Sequence, residues 1–110
     1  MIKKKVIKKK LLIDIELDNN NIPENIYWTS EKENIFKKPC KICFLYTWDE
    51  EKKILFRLDL WCKKTKIEDM KNFFYQSFLS MGKIYKKATN DKNMSLKIEK
   101  FSKNFLKNEK

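Results

Sequence analysis

Alternating apolar and polar side chains predict four β-strands in the first 62 residues of the chain. In the first strand the apolar side chains recur at every second position, as in a half-buried strand: Leu11, Ile13, Ile15 and Leu17. After a turn around Pro23, the short run Asn25–Ser30 forms the second strand, with Ile26 and Trp28 on one side. Residues Glu31–Pro39 show no period and are predicted to form a polar loop.

Two longer apolar runs follow, and the polar connection Asp49–Lys53 between them predicts a hairpin. Alternation assigns one face of each run to the core: Ile42, Phe44, Tyr46 and Trp48 in the first, and Ile54, Phe56, Leu58, Leu60 and Cys62 in the second. The opposite face mixes apolar and charged side chains, which is typical of a contact surface. We assign six residues to this candidate interaction surface: Tyr27, Leu45, Leu55, Arg57, Asp59 and Trp61.

Apolar spacings of three and four residues predict two helices within residues 65–108. The first helix is expected to start at a capping box formed by Thr65 and Glu68. Gly82 lies inside this helix and indicates a tight packing contact. The pair Asn90-Asp91 ends the first helix and caps the second, whose apolar side is Met94, Ile98, Phe101 and Phe105.

Strands followed by helices predict the α+β class, with a four-stranded antiparallel sheet followed by two C-terminal helices packed on one face. At 110 residues the chain is expected to form a single domain. Its parts are a lysine-rich N-terminal arm (1–10), the sheet (11–62) and the two helices (65–108). The helices are expected to cover the face that bears Leu11–Leu17, Phe44–Trp48 and Phe56–Leu60.

The formal charge of +11 makes nucleic acid a candidate partner, because phosphates attract a basic surface. However, Arg57 is the only arginine among 26 basic residues. Nucleic-acid readers favour arginine, whose planar guanidinium binds phosphates and guanine edges. Lys, Asn and Ile are encoded by A/T-rich codons, so an A/T-rich genome produces the same balance. Nucleic-acid binding is therefore an alternative to a solvated lysine surface.

The sequence contains no pattern typical of catalysis, a cofactor or a metal. Histidine is absent, and Gly82 is the only glycine, so a P-loop or a nucleophile elbow cannot be built. Cys40 and Cys43 form a C-x-x-C pair, but they open a strand, whereas a redox pair needs a helix N-terminus. With Cys62 they supply three zinc ligands and lack a fourth. We expect no enzymatic activity, no cofactor and no small-molecule substrate.

A cytoplasmic location is predicted. No apolar run approaches the about 20 residues of a membrane span. The lysine-rich start is followed by the short apolar run Leu11–Ile13, which is too brief for the apolar core of a signal peptide. Three cysteines, an odd number, agree with a reducing compartment.

A series of short motifs occurs in order along the chain: Ile15-Glu-Leu-Asp18, Asn21-Ile-Pro-Glu24 with Ile26 and Trp28, Lys38-Pro39, Trp48-Asp49, Leu58-Asp-Leu-Trp61, Glu68-Asp-Met-Lys-Asn-Phe-Phe74 and Ala88-Thr89. Together these motifs resemble the gliding-motility protein GldC family of Bacteroidetes. The resemblance extends roughly from Leu11 to Phe105. The lysine-rich arm, the three cysteines and the lysine-rich surface depart from the family pattern.

This resemblance implies a small, soluble, non-enzymatic accessory or adaptor protein of the gliding machinery, which in that phylum is tied to type IX secretion. It implies action by contact with protein partners and brings no catalytic residues. Two alternatives stay open: a SecB-like export chaperone, whose strands-then-helices layout is similar, and nucleic-acid binding. The candidate interaction surface fits another protein or a second copy of this chain, which would make a homo-oligomer.

Overall fold

The computed structural model describes residues 5–106, which form five strands, one short 3₁₀ helix and two α-helices. Their bounds are β1 (Leu12–Leu17), β2 (Pro23–Ser30), the 3₁₀ helix (Glu31–Glu33), β3 (Ile35–Cys40), β4 (Ile42–Asp49), β5 (Ile54–Trp61), α1 (Ile67–Thr89) and α2 (Lys92–Phe105). The chain divides into two compact units, one ending at Thr65 and one beginning at Lys66. Among the described residues, the five strands belong to the first unit and the two α-helices to the second.

The α+β class is confirmed, but the prediction of one four-stranded sheet is wrong. The described strands form two antiparallel sheets, a three-stranded sheet in the order β1-β2-β3 and a two-stranded β4-β5 sheet. Helix packing on a sheet face and the single domain stay predictions. The ends of the predicted arm and of the second predicted helix, residues 1–4 and 107–108, lie outside the described residues.

The prediction of a polar loop over Glu31–Pro39 is wrong, because β3 (Ile35–Cys40) occupies most of that segment. Its sequence hides the strand because Lys37, Lys38 and Pro39 break the alternation. Pairing with β2 holds it in place, and the register shifts between Trp28 and Ser30. At that irregularity Lys37 has a positive φ of 45°, and its amide donates to Thr29 Oγ1 at 3.0 Å.

The period-two prediction for the first two strands is confirmed. Ile13 lies opposite Trp28 and Ile15 opposite Ile26. Ile26 is 1% exposed and is the most buried apolar side chain in the described part of the chain. The connecting turn is stabilised by Asp18, whose Oδ1 accepts hydrogen bonds from the amides of Asn20 and Ile22. One face of this pair is therefore a small core.

The register of the β4–β5 hairpin differs from the predicted one by one position. Asp49 pairs with Ile54, so the loop has four residues rather than the five predicted from the polar run. Asp49 Oδ1 accepts from the amides of Glu51 and Lys52 at 3.0 Å, and Lys53 adopts a left-handed φ of 56°. A shift of one residue moves every side chain of one strand to the other face. The predicted core face is therefore wrong. Phe44 and Trp48 lie on one face of the hairpin, and Phe56, Leu58 and Leu60 lie on the other.

The helical unit is an antiparallel pair whose turn was predicted correctly. Asn90 caps α1 with a left-handed φ of 60°, and Asp91 Oδ1 accepts from the Met94 amide at 3.1 Å. The predicted capping box at the start of α1 is wrong. The N-cap residue is Lys66, and Thr65 Oγ1 instead donates to Cys62 O at 2.7 Å.

Close approach of the two helices occurs at Gly82, as its position predicted. Ser95 Oγ donates to Gly82 O at 2.7 Å across the helix pair. A Cβ on residue 82 would lie 3.1 Å from Glu99 Cγ and 3.3 Å from Ile98 Cγ2. Gly82, Ser95 and Ser102 are buried. Farther along the pair, aromatic rings fill the space: Phe78, Phe101 and Phe105, with centroids 5.3–6.2 Å apart.

Candidate interaction surface

The β4–β5 hairpin presents two apolar faces. The aromatic face consists of Ile42, Phe44, Tyr46, Trp48, Leu55, Arg57, Asp59 and Trp61. The leucine face consists of Cys43, Leu45, Thr47, Asp49, Ile54, Phe56, Leu58 and Leu60. Neither face carries a lysine, although 25 of the 110 residues are lysines, which follows from 26 basic residues of which one is Arg57.

The structure brings four of the six candidate surface residues together and separates the other two. The four that share the aromatic face are Leu55, Arg57, Asp59 and Trp61. Leu45 lies on the leucine face, because the hairpin register differs from the predicted one. Tyr27 belongs to the three-stranded sheet, where it lies between Asp14 and Pro39. The predicted surface is thus not one patch.

Large apolar side chains are exposed on both faces of the hairpin. On the aromatic face Trp48 is 59% exposed and Trp61 49%. On the leucine face Phe56 is 58% exposed and Leu58 39%. Isolated two-stranded hairpins are marginally stable in water, and contiguous exposed apolar surface usually marks a contact site. Sequence reasoning predicted a single exposed face, whereas each observed face combines residues of the predicted core face with residues of the predicted surface.

A small polar cluster interrupts the aromatic face. Arg57 Nε lies 3.3 Å from Asp59 Oδ2. Asp59 Oδ1 is buried and, among the described residues, has no hydrogen-bond partner. Partial desolvation raises the pKa of Tyr46, and so do its hydrogen bond with Asp59 and the negative charge of Asp59. The phenol is therefore protonated at neutral pH, and the cluster offers both hydrogen-bond donors and an unused acceptor.

An ion pair that sequence analysis did not find joins the hairpin to the three-stranded sheet. Lys63 Nζ lies 3.0 Å from Asp18 Oδ2 and 3.7 Å from Glu24 Oε1. The Lys63 amide donates to Pro23 O at 3.2 Å. The hydrogen bond from the Ile22 amide and the contact with Lys63 lower the pKa of Asp18. No short-range pattern reveals this contact, since its two charged residues are 45 positions apart.

The three cysteines lie where the two sheets meet, and all are free thiols. Cys62 is buried, and Cys40 and Cys43 are half-buried. Burial raises the pKa of Cys43; burial and then the neighbouring Cys43 and Cys62 raise that of Cys40. The raised pKa values keep the Cys40 and Cys43 thiols protonated at neutral pH, which disfavours their acting as nucleophiles or metal ligands. Within residues 5–106 no three acidic or cysteine side chains converge on a metal site.

Among the described residues no helix is both long enough and apolar enough to cross a bilayer.

Comparison with known proteins identified one family. A model of the family described as "Gliding motility-associated protein GldC-like" matches residues 23–110. The matched segment includes β2 to β5 and both helices, hence the whole hairpin with its two apolar faces. Searches of curated proteins and of solved structures gave no match.

Proposed function

The chain belongs to the GldC-like family of gliding motility-associated proteins, and from this premise we propose that it is a non-enzymatic adaptor of the gliding machinery. It acts in the cytoplasm by contact with protein partners of the Bacteroidetes gliding apparatus and its associated secretion system. The family supplies the cellular process. The adaptor role is supported by the exposed surface of the β4–β5 hairpin.

The observation that carries the adaptor role is the exposed aromatic face of the β4–β5 hairpin. Tryptophan, tyrosine and arginine dominate binding energies at protein interfaces, and this one face carries Tyr46, Trp48, Arg57 and Trp61. Three of the four are aromatic side chains that are at least 42% exposed. In a lysine-rich chain, a lysine-free aromatic patch is the surface best suited to exclude water on contact with a partner.

Two other functions have less support. The SecB-like chaperone rested on a layout of four antiparallel strands followed by helices, whereas five described strands form two separate sheets. Nucleic-acid binding rests on the +11 charge, but the exposed aromatic side chains of the hairpin lie on strands without lysine. Binding of single-stranded nucleic acid needs aromatic side chains that stack on bases and cationic side chains that contact phosphates in the same place. Both alternatives are outcomes that the following experiment separates from the adaptor role.

The test is genetic complementation in a gliding organism that carries this gene. The gene is deleted and replaced by the wild type, by Trp48→Ala or by the control Phe36→Ala. Phe36 lies in β3 and is 77% exposed, so the control removes an exposed aromatic outside the hairpin. We expect gliding to be lost with the deletion, impaired at least several-fold by Trp48→Ala and unchanged by Phe36→Ala, at equal protein levels.

Unchanged gliding and secretion in the deletion strain would contradict a role in the machinery. Equal loss with Trp48→Ala and Phe36→Ala would contradict the aromatic face as the contact site. Purified protein that prevents aggregation of a reduced test protein would favour the chaperone. Retarded DNA or RNA migration that disappears at high salt would favour nucleic-acid binding.

A further inference from the structure

Along Ile54–Trp61 the outer edge of β5 has no paired strand among the described residues; just beyond Trp61 it meets β2, where the Lys63 amide donates to Pro23 O at 3.2 Å. Within residues 5–106 the β4–β5 sheet ends at β5. The amide of Cys62 donates to Lys41 O at 2.8 Å, and the register runs without a shift from there to the loop. Hydrogen-bonded and non-hydrogen-bonded pairs alternate along antiparallel strands. The backbone groups of Leu58 and its alternate neighbours therefore point to β4, and those of Arg57 and Asp59 point to the open edge.

We propose that two copies of this chain pair along β5, antiparallel and centred on Leu58, to form a continuous four-stranded sheet β4-β5-β5-β4. This inference goes beyond the adaptor function and does not depend on it. The occupant of the edge is a second copy because the β5 sequence is complementary to itself when it is read in the opposite direction.

Self-complementarity follows from the order of residue types about Leu58. In the proposed register Leu55 faces Trp61 of the second copy, and Phe56 faces Leu60, so apolar side chains meet on both faces. Leu58 faces its own counterpart on the two-fold axis. Every apolar residue thus meets an apolar residue, which is the requirement of an isologous interface. The pairs repeat on the other side of the axis with the two copies exchanged.

The charges of β5 are complementary in the same register. Arg57 of each copy faces Asp59 of the other, so a cation meets an anion on both sides of the axis. Asp59 Oδ1 is buried and unpartnered in the described part of a single copy. Arg57 is 66% exposed at its side chain and uses Nε for its own Asp59, which leaves other guanidinium N–H groups for the second copy. A dimer would supply the missing donor.

The composition of the edge supports pairing rather than solvation. Natural edge strands usually carry lysines, proline or a bulge that prevent association. β3 has such features, in Lys37, Lys38 and Pro39, as well as a register irregularity against β2. β5 has eight regularly paired residues with neither lysine nor proline. In a chain so rich in lysine, an unprotected strand of this length is the expected signature of an edge that pairs.

The test measures the mass of the full chain in solution by light scattering during size exclusion. Wild type is expected at twice the chain mass of 13.5 kDa. Leu58→Lys places two ammonium groups opposite each other on the axis, and we expect the mass to fall to that of one chain. The matched control is Leu45→Lys, because Leu45 pairs with Leu58, lies on the same face and is similarly exposed, 41% against 39%. We expect it to stay dimeric.

Charge reversal tests the register directly. Arg57→Asp alone and Asp59→Arg alone each oppose like charges across the axis, so each variant is expected to be monomeric. An equimolar mixture of the two variants restores both opposite-charge pairs and is expected to give a heterodimer. In the double variant, Arg57→Asp with Asp59→Arg, two identical copies again place opposite charges across the axis, so this variant is expected to be a homodimer. Circular dichroism checks that each variant is folded.

Several results would overturn the proposal. Wild type at the mass of one chain up to its solubility limit excludes the dimer. Single reversals that keep the doubled mass, or a mixture that stays monomeric, exclude the register. Leu45→Lys that dissociates as completely as Leu58→Lys indicates packing through the leucine face instead of the β5 edge. None of these results bears on the Trp48→Ala gliding phenotype, so failure here leaves the adaptor role standing.

Discussion

The β1–β2 and β4–β5 strand pairs are both antiparallel, but their faces differ. In β1–β2, Ile15 and Ile26 share one face, and the other face carries Asp14 and Glu16. In β4–β5 both faces carry large apolar side chains. The first pair has one register that buries its apolar side chains, whereas the second pair can exchange its faces at little cost. A strand pair of the second kind depends on its loop for register and on other surfaces for stability.

The largest expected effect comes from truncating the small core of β1–β2. Ile26→Ala should lower the free energy of unfolding by about 2–4 kcal/mol, because it removes a buried side chain and leaves a cavity. Leu55→Ala in the hairpin, made in a variant that is monomeric, should lower the free energy of unfolding by well under half as much as Ile26→Ala. The reason is that Leu55 is 51% exposed. Urea unfolding of both variants gives the comparison. Equal losses would show that the hairpin faces are covered within one chain.

A smaller effect is expected at the loop that fixes the hairpin register. Asp49→Ala removes the acceptor of the Glu51 and Lys52 amides and should lower the free energy of unfolding by about 1 kcal/mol. Glu51→Ala, in the same loop, is the control and should change it by less than about 0.5 kcal/mol. Thermal and urea unfolding measure both. If Asp49→Ala has no effect, side-chain packing rather than the loop fixes the register.

The smallest effect concerns acid and the β1–β2 turn. Because the fold lowers the pKa of Asp18, its contribution to stability is present above the ordinary carboxyl pKa and is lost as pH falls through the lowered value. Asp18→Asn should therefore flatten the decline in stability in that acid range. Glu51→Gln, in the β4–β5 loop, serves as the control substitution. The measurement is the unfolding midpoint between neutral and acid pH. An Asp18→Asn midpoint that declines as steeply as that of wild type would contradict the prediction.

Sequence patterns predicted the elements that have one apolar face. The strand around Ile15, the strand around Ile26, both helices and the cap at Asp91 agree with the structure. Each has a single buried side or a specific turn residue, so local pattern and tertiary packing agree. Gly82 was also interpreted correctly, since a lone glycine inside a helix is stabilising only where another backbone or side chain approaches closely.

The remaining features depend on contacts that are distant in sequence or on a single loop residue. β3 is held by pairing with β2 despite Pro39, and no local alternation marks it. The polar run Asp49–Lys53 predicts Asp49 to be a loop residue, whereas Asp49 is the last residue of β4 and pairs with Ile54. The resulting change of register explains why Leu45 lies on the leucine face, away from Leu55 and Trp61. Ser95 and Ser102, both buried in α2, are small polar residues that apolar periodicity overlooks.

The single glycine has a consequence for how the helical unit behaves. Residue 82 is the one position in the chain without a Cβ, and a methyl group there would meet Glu99 and Ile98. Sliding α2 by one turn would bring a bulkier residue to this crossing and break the hydroxyl–carbonyl bond from Ser95. The contacts at residue 82 therefore fix α1 and α2 in a single alignment. In any larger assembly we expect the two helices to move together as one rigid body.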